Sequence, residues 1–509
     1  MTKTNNSDTV SLNLPASWSD RQGFNRRWYV NGSLKIYRPQ NAGDVVTAYR
    51  EIVNLHPPSL KKGHQVQITC GRHCYEGFVY NPETKFIIDM SGVRSYSITG
   101  PKGAAVDVGL SNWDMYRTLN NVSQTTLPAG SCYSVGLGGH ITGGGYGLLS
   151  RLYGLTIDYL SAVDIVICNN DYPSPTLVHC DKSNNPELFW GIKGGGGGQF
   201  GIITRYYFDS LPPAPAGIYS YALSWDWKPN NTLMTQQTFD QILTYFHDEF
   251  CQQDGRSNNI WAMLHLNHMD AGNISIAVFY YFEASIHGDK QAFERELHSQ
   301  VHSLVNRARD IAPLSDQDFT MNGHPYFAST RSLRAAPPSD IPPEQNARSY
   351  TYLEGTQEFN GSGPNRFGKY KSAYLRKSWT PTMAAAAYKG LTTSVHRSDT
   401  NALLDMSQSL IQVDSYGGAI NDKSSSETAI PQRSSIMKLQ YQTYWDAPAP
   451  IGHVDRFMES AQVDWLNNMY SQIYADYGGF PDPAKDPSNN VDGCYFNYPD
   501  IELGVAGGT

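Results

Sequence analysis

Hydrophobic residues in the first 210 positions recur in short stretches, some with the period of a helix and some with the period of a strand. Asp44 is able to cap a helix, and five apolar residues that follow it fall at helical spacing. They are Val45, Val46, Tyr49, Ile52 and Val53. A second helix is predicted over 113–120, and strands are predicted at 66–69, 86–90, 104–108 and 163–167. This mixture lacks regular strand–helix–strand repeats, so it predicts an α+β fold.

Three prolines follow residue 210, where 211–215 reads Leu-Pro-Pro-Ala-Pro, and this composition is typical of a linker between domains. Beyond it the pattern predicts a strand at 274–282, a long helix at 290–308, a proline-rich loop at 337–343 and a strand at 436–445. A chain of 509 residues is too long for one ordinary core, so we expect more than one domain.

Composition excludes several classes of protein. Hydrophobic residues make up 40% and charged residues 17%, as in a folded globular protein. The net charge is −8 without a cluster of Lys and Arg, so we expect no nucleic-acid partner. No apolar stretch is long enough to cross a membrane. The first 13 residues carry no apolar signal core, so we expect either a cytoplasmic protein or a secreted one whose leader has been removed.

Cysteine spacing does not indicate a metal site. Cys70 and Cys74 flank His73, but no second pair of ligands with the spacing of a zinc site follows. Two glycine-rich segments, 136–147 and 193–201, allow the backbone to approach a ligand closely. Neither has the spacing of a dinucleotide-binding fingerprint, so by themselves they are either tight loops or a cradle for a flavin or phosphate.

Several blocks of sequence together resemble one family. They are, in order, Gly71-Arg72-His73-Cys74-Tyr75-Glu76-Gly77-Phe78, 130–140 around Cys132, 187–204, 371–374, 415–421 and 495–500. This order resembles the berberine bridge enzyme-like oxidases, and most closely their microbial branch of aclacinomycin, tirandamycin and oligosaccharide oxidases. The resemblance implies a PCMH-type FAD-binding domain of two α/β subdomains over 1–210. A substrate domain with an antiparallel sheet flanked by helices is implied over 211–440, and a segment returning to the first domain over 441–509.

The resemblance also implies the cofactor and its ligands. FAD would be bonded covalently to His73 and Cys132. His140 would donate a hydrogen bond to the pyrimidine edge of the flavin, and the small residue Val135 would admit oxygen. The remaining implied cofactor-binding residues are Gly71, Arg72, Cys74, Gly138, Gly139, Gly145, Tyr146, Gly198, Ile202 and Asn497. Arg72 replaces the family's usual glycine, and its side chain would either pair with a phosphate or point outward.

Tyr498 matches the general base of the family. A tyrosine has a pKa near 10, so a base at neutral pH needs a neighbouring cation or a second tyrosine. If 438–444 is a strand, alternate residues share a face. That face would carry Lys438 as the charge that lowers the pKa of Tyr498, and Gln440 and Tyr444 as substrate contacts. Tyr75 matches another active-site tyrosine of the family.

Three functions are compatible with this set. The first is an oxidase that converts a secondary alcohol or sugar lactol to a ketone or lactone and reduces O2 to H2O2. The second is oxidative cyclisation or dehydrogenation of an alkaloid or polyketide, in which a carboxylate base is common, and neither Lys438 nor Gln440 is one. The third is a flavin-binding protein without activity. We expect a sugar or natural-product alcohol and O2 as partners, no metal, and a monomer or homodimer.

Overall fold

A computed structural model describes residues 17–55, 65–168, 174–227, 232–253, 258–315, 348–358, 363–446 and 454–505. Within this part of the chain the strands form three sheets, and the first two are built from residues 35–208. The predicted loop at 337–343 lies outside the described residues. No described helix is long and apolar enough to cross a membrane.

The first sheet has three parallel strands in the order β1-β3-β2: β1 Lys35–Tyr37, β2 Val66–Thr69 and β3 Phe86–Asp89. Helix α1, Ala42–Leu55, packs the apolar face predicted from sequence against this sheet, with Val45 and Ile52 buried beside Ile88. The expected cap was wrong by three residues. The Asn41 side chain accepts from the Asp44 backbone N–H at 3.0 Å, so Asn41 caps the helix and Asp44 lies in its first turn.

The second sheet is antiparallel in the order β4-β5-β8-β6-β7. Its strands are β4 Tyr96–Ile98, β5 Ala104–Asp107, β6 Leu160–Ile167, β7 Thr176–Asp181 and β8 Ile202–Phe208. The helices of this region are α2 Asn112–Ser123, α3 Leu137–Thr142, α4 Ser150–Tyr153 and α5 Pro186–Ile192. Helix α3 was not predicted, because it is only six residues long, contains two glycines and lies within a glycine-rich segment.

The third sheet is antiparallel and has the order β12-β9-β11-β10-β14-β15-β13. Its strands are β9 Gly217–Trp227, β10 Ile260–Asn267, β11 Gly272–Phe282, β12 Arg348–Tyr350, β13 Phe367–Leu375, β14 Leu410–Ser415 and β15 Met437–Trp445. The helices are α6 Gln236–Phe250, α7 Ala284–His287, α8 Lys290–Ile311, α9 Tyr352–Glu358, α10 Pro381–Leu391, α11 Arg456–Ile473 and α12 Glu502–Val505.

Alternate residues of the third sheet enter two different cores. Leu264 and Leu266 pack with the helices on one face, whereas Trp261 and Met263 pack with the first two sheets. The predicted α+β fold, with an antiparallel sheet flanked by helices, is confirmed. The predicted domain boundary after residue 440 falls inside β15, so the sheet extends past it, and the division into domains stays a prediction.

Candidate active site

A cavity of about 1160 Å³ lies between the loops of the first two sheets and the inner face of the third. Most small-ligand pockets measure about 300–1,000 Å³, so this one has room for a large cofactor and a second molecule. Its walls come from the glycine-rich segments, from β14 and β15, and from the irregular segment at 494–503. It brings together almost all the predicted site residues, although they span more than 400 positions of the chain.

Two loops that carry the predicted attachment residues touch each other through glycine. A Cβ on Gly71 would lie 2.2 Å from the backbone nitrogen of Gly136, and a Cβ on Gly136 would lie 2.3 Å from the Cys70 sulfur. Neither position can hold a larger residue without moving backbone. Across the same contact, the Nε2 atom of His73 lies 2.9 Å from the hydroxyl of Ser134. The glycine in each loop therefore allows the two loops to lie in backbone contact.

The His73 ring is held in its neutral form. Its plane stacks on Phe24 with 5.1 Å between ring centroids. Burial lowers the pKa of His73 to about 4, so the imidazole carries no charge at neutral pH. A neutral imidazole keeps a lone pair on one ring nitrogen, which is the form able to bond to an electrophilic carbon.

His140 is also neutral, and its tautomer follows from its hydrogen bond. The Nε2 atom of His140 accepts from the Gly130 backbone N–H at 2.8 Å. Burial, with Lys438 nearby, lowers the pKa of His140 to about 4. Since Nε2 is the acceptor, the single ring proton lies on Nδ1. A neutral donor suits the role that the resemblance implies for His140.

Arg72 lines the cavity, but its guanidinium is already engaged elsewhere. It lies 2.7 Å from Asp89 and 3.3 Å from Asp20, and it donates to the Ser19 carbonyl at 2.8 Å. Of the two alternatives left open by the sequence, pairing with a cofactor phosphate is therefore not favoured. Gly145 does not line the cavity, since its missing side chain makes room for Thr156.

One face of β15 presents polar side chains to the cavity, as predicted. Gln440, Gln442 and Tyr444 line it, and Lys438 lies on the same face beside Tyr498. The neighbouring strand β14 adds Gln412 and Asp414, which the sequence analysis missed.

These side chains orient one another through a chain of hydrogen bonds. The Tyr444 hydroxyl donates to Gln442 at 2.6 Å, and the Gln442 amide donates to Gln412 at 3.3 Å. The Gln412 amide in turn donates to the Asp414 carboxylate at 2.8 Å. Separately, the Gln440 amide donates to the Tyr75 hydroxyl at 3.4 Å. Each amide therefore has a defined orientation on the cavity wall.

Two tyrosines lie next to each other at one end of this polar wall. The rings of Tyr75 and Tyr498 are 5.3 Å apart, and Tyr75 stacks on Tyr370 at 3.7 Å. The expectation that Tyr498 has a lowered pKa is wrong. Burial, followed by the neighbouring Tyr75 hydroxyl and Asp414 carboxylate, raises the pKa of Tyr498 well above 10. The hydroxyl is therefore protonated at neutral pH.

Lys438 is a buried ammonium beside this tyrosine. Its Nζ atom lies 4.2 Å from the centroid of the Tyr498 ring and 3.8 Å from the Asp414 carboxylate. Burial lowers the pKa of Lys438 to about 8, although Asp414 partly opposes that shift. Burial also raises the pKa of Asp414. The charge of Lys438 is therefore lost as the pH rises through about 8.

The segment that carries Tyr498 is irregular, so side chains must hold it. Before Tyr498, the Asn497 amide donates to the carbonyls of Gly139 and His140 at 3.0 and 3.2 Å. After it, Asp500 pairs with Lys369 at 2.8 Å and Lys371 at 2.6 Å, both on β13.

Lys369 also connects this segment to the loop that carries His73 and Tyr75. Its ammonium is fully buried, lies 2.5 Å from Glu76 and also contacts Glu502. Three carboxylates and two lysines thus join β13 to both loops that hold the facing tyrosines.

Known proteins resemble this chain along nearly its whole length. Residues 35–171 match the model of an FAD binding domain. The hexose oxidase of Chondrus crispus is 34% identical over 98% of this chain and 87% of its own. The aclacinomycin-N/aclacinomycin-A oxidase of Streptomyces galilaeus is 30% identical over 95% of this chain and 79% of its own. The crystal structure of aclacinomycin oxidoreductase superposes with a TM-score of 0.72 at 27% identity, over 95% of this chain and 87% of that one.

The chain belongs to the berberine bridge enzyme-like family. It is an FAD-linked oxidoreductase of that family, with the PCMH-type fold predicted from sequence. A glycopeptide hexose oxidase complexed with teicoplanin has the same fold, with a TM-score of 0.74 and 26% identity over 95% of this chain and 86% of that one.

The cavity of this family member fits the cofactor. A Cβ on Gly139 would meet no atom within 4 Å, and one on Gly198 would meet only Ile68 at 3.9 Å, so both glycines leave open space that belongs to the cavity. Backbone at these positions can approach a flat ring system closely. The residues able to hold the flavin are those of the two touching loops, with Gly139, Gly198, Asn497 and the His140 ring.

Proposed function

We propose that this oxidase removes hydride from the alcohol carbon of a sugar lactol or another secondary alcohol. The product is a lactone or ketone, and O2 is reduced to H2O2. The observation that carries this proposal is the hydrogen-bonded polar wall of β14 and β15, which faces the flavin-binding loops with Tyr75 and Tyr498 beside it.

A polyhydroxylated substrate suits that wall. An amide side chain both donates and accepts hydrogen bonds, as does a sugar hydroxyl, so Gln412, Gln440 and Gln442 can each pair with one. An apolar substrate would bury the same amides without new partners, at about 1–3 kcal/mol for each group left unsatisfied. Similarity to a hexose oxidase over 98% of the chain supports the same substrate class.

His73 and Cys132 would hold the flavin through covalent bonds. Both line the cavity on loops that touch, and His73 is neutral. When bound, FAD accepts the hydride and delivers its two electrons to oxygen. The protein would position the reacting groups, and the neutral Nδ1–H of His140 would be the donor for negative charge at the flavin edge, since its Nε2 accepts from Gly130.

Tyr498 would take the proton of the substrate hydroxyl. With a pKa well above 10, its phenolate is a strong base but is scarcely populated at neutral pH. The charge of Lys438, 4.2 Å from the ring, would stabilise the phenolate while it exists. Asp414 opposes this effect, because its carboxylate raises the pKa of Tyr498.

Val135 would admit oxygen to the reduced cofactor. It lies in the second attachment loop and lines the cavity three residues after Cys132. The small side chain leaves space that a larger apolar residue would fill.

Oxidative cyclisation or dehydrogenation of an alkaloid or polyketide, including a glycosylated one, is a second candidate. Two observations favour it: the similarity to aclacinomycin oxidase, and the buried carboxylate of Asp414, which supplies the acidic group that the sequence analysis did not find on β15. A glycosylated natural product would also present hydroxyls to the polar wall.

Oxygen uptake distinguishes these candidates. The purified protein is supplied in air with aldoses, oligosaccharides and glycosylated polyketides, and H2O2 and the organic product are quantified together. We expect uptake with aldoses, with one lactone and one H2O2 per O2. The matched 1-deoxy sugars lack the lactol hydroxyl, so uptake with them would place the oxidation at another secondary alcohol. Uptake only with polyketide glycosides would favour the second candidate, and no uptake with any alcohol would contradict the proposal.

A further inference from the structure

Arg72 has a backbone conformation that arginine rarely adopts. Its φ is +62°, in the left-handed region that favours glycine, and glycine is the family's usual residue before the histidine. A non-glycine residue is retained in this region only where surrounding contacts hold it there. The contacts of Arg72 must therefore hold its backbone in this conformation.

The side chain of Arg72 is anchored on a buried carboxylate. Its guanidinium lies 2.7 Å from Asp89, whose side chain is 1% exposed at the end of β3. It also reaches residues 17–25, here called the N-terminal strap, by donating to the Ser19 carbonyl at 2.8 Å and pairing with Asp20. One side chain thus connects the first attachment loop to the first sheet and to the strap.

The backbone of Arg72 makes a second connection, which leads directly to His73. Its carbonyl accepts from the Phe24 backbone N–H at 2.8 Å. A Cβ on Gly23 would lie 2.7 Å from the same carbonyl, so the strap approaches as closely as glycine allows. The Phe24 ring then stacks on the His73 imidazole at 5.1 Å. The orientation of that imidazole therefore depends on how Arg72 holds the strap.

We propose that Arg72 is a positioning residue for covalent attachment of the flavin at His73. The anchor on Asp89 and the strap keeps the loop in its left-handed conformation, and Phe24 keeps the imidazole in place. In the attachment, a C–N bond replaces one C–H bond of the flavin 8α-methyl and the N–H bond of the ring. The two protons and two electrons released pass to O2, giving H2O2. The inference rests on the proposed bond at His73.

Peptide mapping of the full-length yellow protein tests this inference. After proteolysis, mass spectrometry gives the fraction of His73 peptide that carries flavin, relative to flavin on the Cys132 peptide of the same molecules. Because only protein bonded at Cys132 is counted, loss of folding does not enter the ratio. The variants are Arg72→Ala, Arg72→Gly and Phe24→Leu, and the matched control is Arg94→Ala, which removes an arginine paired with Asp114 in the same region.

We expect Arg72→Ala to lower the His73 fraction severalfold, because the anchor is lost and the left-handed backbone is still disfavoured. Arg72→Gly should lower it less, since glycine accepts that backbone, and Phe24→Leu should lower it with the anchor intact. Arg94→Ala should match the parent. Parental His73 occupancy in Arg72→Ala would overturn the inference alone, and parental occupancy in Phe24→Leu would overturn the part assigned to Phe24. Absence of flavin on His73 in the parent would overturn it together with the proposed attachment.

Discussion

The two halves of the cavity are built in different ways. One half, here called the flavin side, is formed by the two loops proposed to hold the flavin, and each loop is a contiguous stretch of sequence. The backbones of the two loops touch, at contacts such as Gly71 with Gly136 that tolerate no side chain. On the reaction side, polar and titratable side chains converge from β13, β14, β15 and the irregular segment around Tyr498. There the positions depend on hydrogen bonds and buried charges, such as Lys438 and Asp414, rather than on close backbone contact.

We therefore expect substitutions on the two sides to have different effects. Changes on the flavin side should alter how the cofactor is attached and how oxygen reaches it. Changes on the reaction side should alter rate, pH dependence and stability while the protein stays yellow. Substitutions of Tyr498, Asp500, Lys438 and Val135, in order of decreasing expected effect, test this difference.

Removing the hydroxyl of Tyr498 should have the largest effect. Tyr498→Phe keeps the ring between Tyr75 and Lys438 but removes the proposed base. Loss of a general base typically costs about 10²- to 10⁴-fold in rate, or about 3–5 kcal/mol of barrier. We expect this loss in anaerobic flavin reduction measured by stopped flow, with reoxidation by oxygen unchanged. Tyr444→Phe is the control and should lose much less. Reduction of Tyr498→Phe at the parental rate would assign the base elsewhere.

Neutralising Asp500 should destabilise the reaction side next. Asp500→Asn leaves Lys369 and Lys371 buried with one carboxylate fewer, and breaking such a buried pair costs about 3 kcal/mol. Chemical unfolding should show that loss in the free energy of unfolding. Glu502→Gln is the matched control, because its side chain is 34% exposed and its pairing is worth about 1 kcal/mol or less. Equal losses in the two variants would show that burial of Asp500 does not matter.

Replacing Lys438 should remove a pH dependence of the protein's stability and slow the reaction. Its pKa is lowered from 10.5 to about 8, so above pH 8 the unfolded state binds more protons than the folded state, and parental stability rises with pH up to about 10.5. Lys438→Met removes the cost of this buried charge, but it also leaves the Asp414 carboxylate buried without its cation, so the two effects oppose each other at pH 7. The pH dependence is specific to the lysine: we expect the stability of the parent to rise relative to that of the variant by about 3 kcal/mol between pH 8 and 10.5.

Unfolding at several pH values should show the variant becoming less stable relative to the parent as the pH rises from 8 to 10.5. Flavin reduction in the same variant should be slower below pH 8, where the parent has the charge. A constant stability difference across this range would contradict the lowered pKa of Lys438.

Filling the space at Val135 should have the smallest effect and only on the flavin side. Val135→Leu should slow reoxidation of the reduced flavin by about tenfold, or about 1.4 kcal/mol of barrier, and leave flavin reduction by substrate unchanged. Val135→Ala is the control and should reoxidise at least as fast as the parent. Identical reoxidation in all three proteins would remove Val135 from the path of oxygen.

The two touching loops could be singled out from sequence because each is one contiguous block that carries the family resemblance, and their role in holding the flavin stays a prediction. The shared face of Gln440, Gln442 and Tyr444 was also predictable, since it follows from strand alternation alone. Gln412 and Asp414 were missed because their approach depends on the pairing of β14 with β15, which no local pattern encodes. The block at 415–421 directly follows that strand and could have directed attention to it.

The pKa of Tyr498 was predicted in the wrong direction for a similar reason. A neighbouring lysine was foreseen from the strand, but burial and the proximity of Tyr75 and Asp414 depend on the tertiary structure. The partner of Arg72 also could not be read locally, because Asp89 lies 17 residues away on another element.

Anaerobic reduction by a hexose deuterated at C1 tests the central claim most directly. If hydride leaves the lactol carbon, the bound flavin should bleach with an aldose and no oxygen, and deuterium at C1 should slow that bleaching severalfold. Deuterium at C2 should not slow it. Bleaching at the same rate with and without deuterium at C1, or no bleaching by any aldose, would contradict the account.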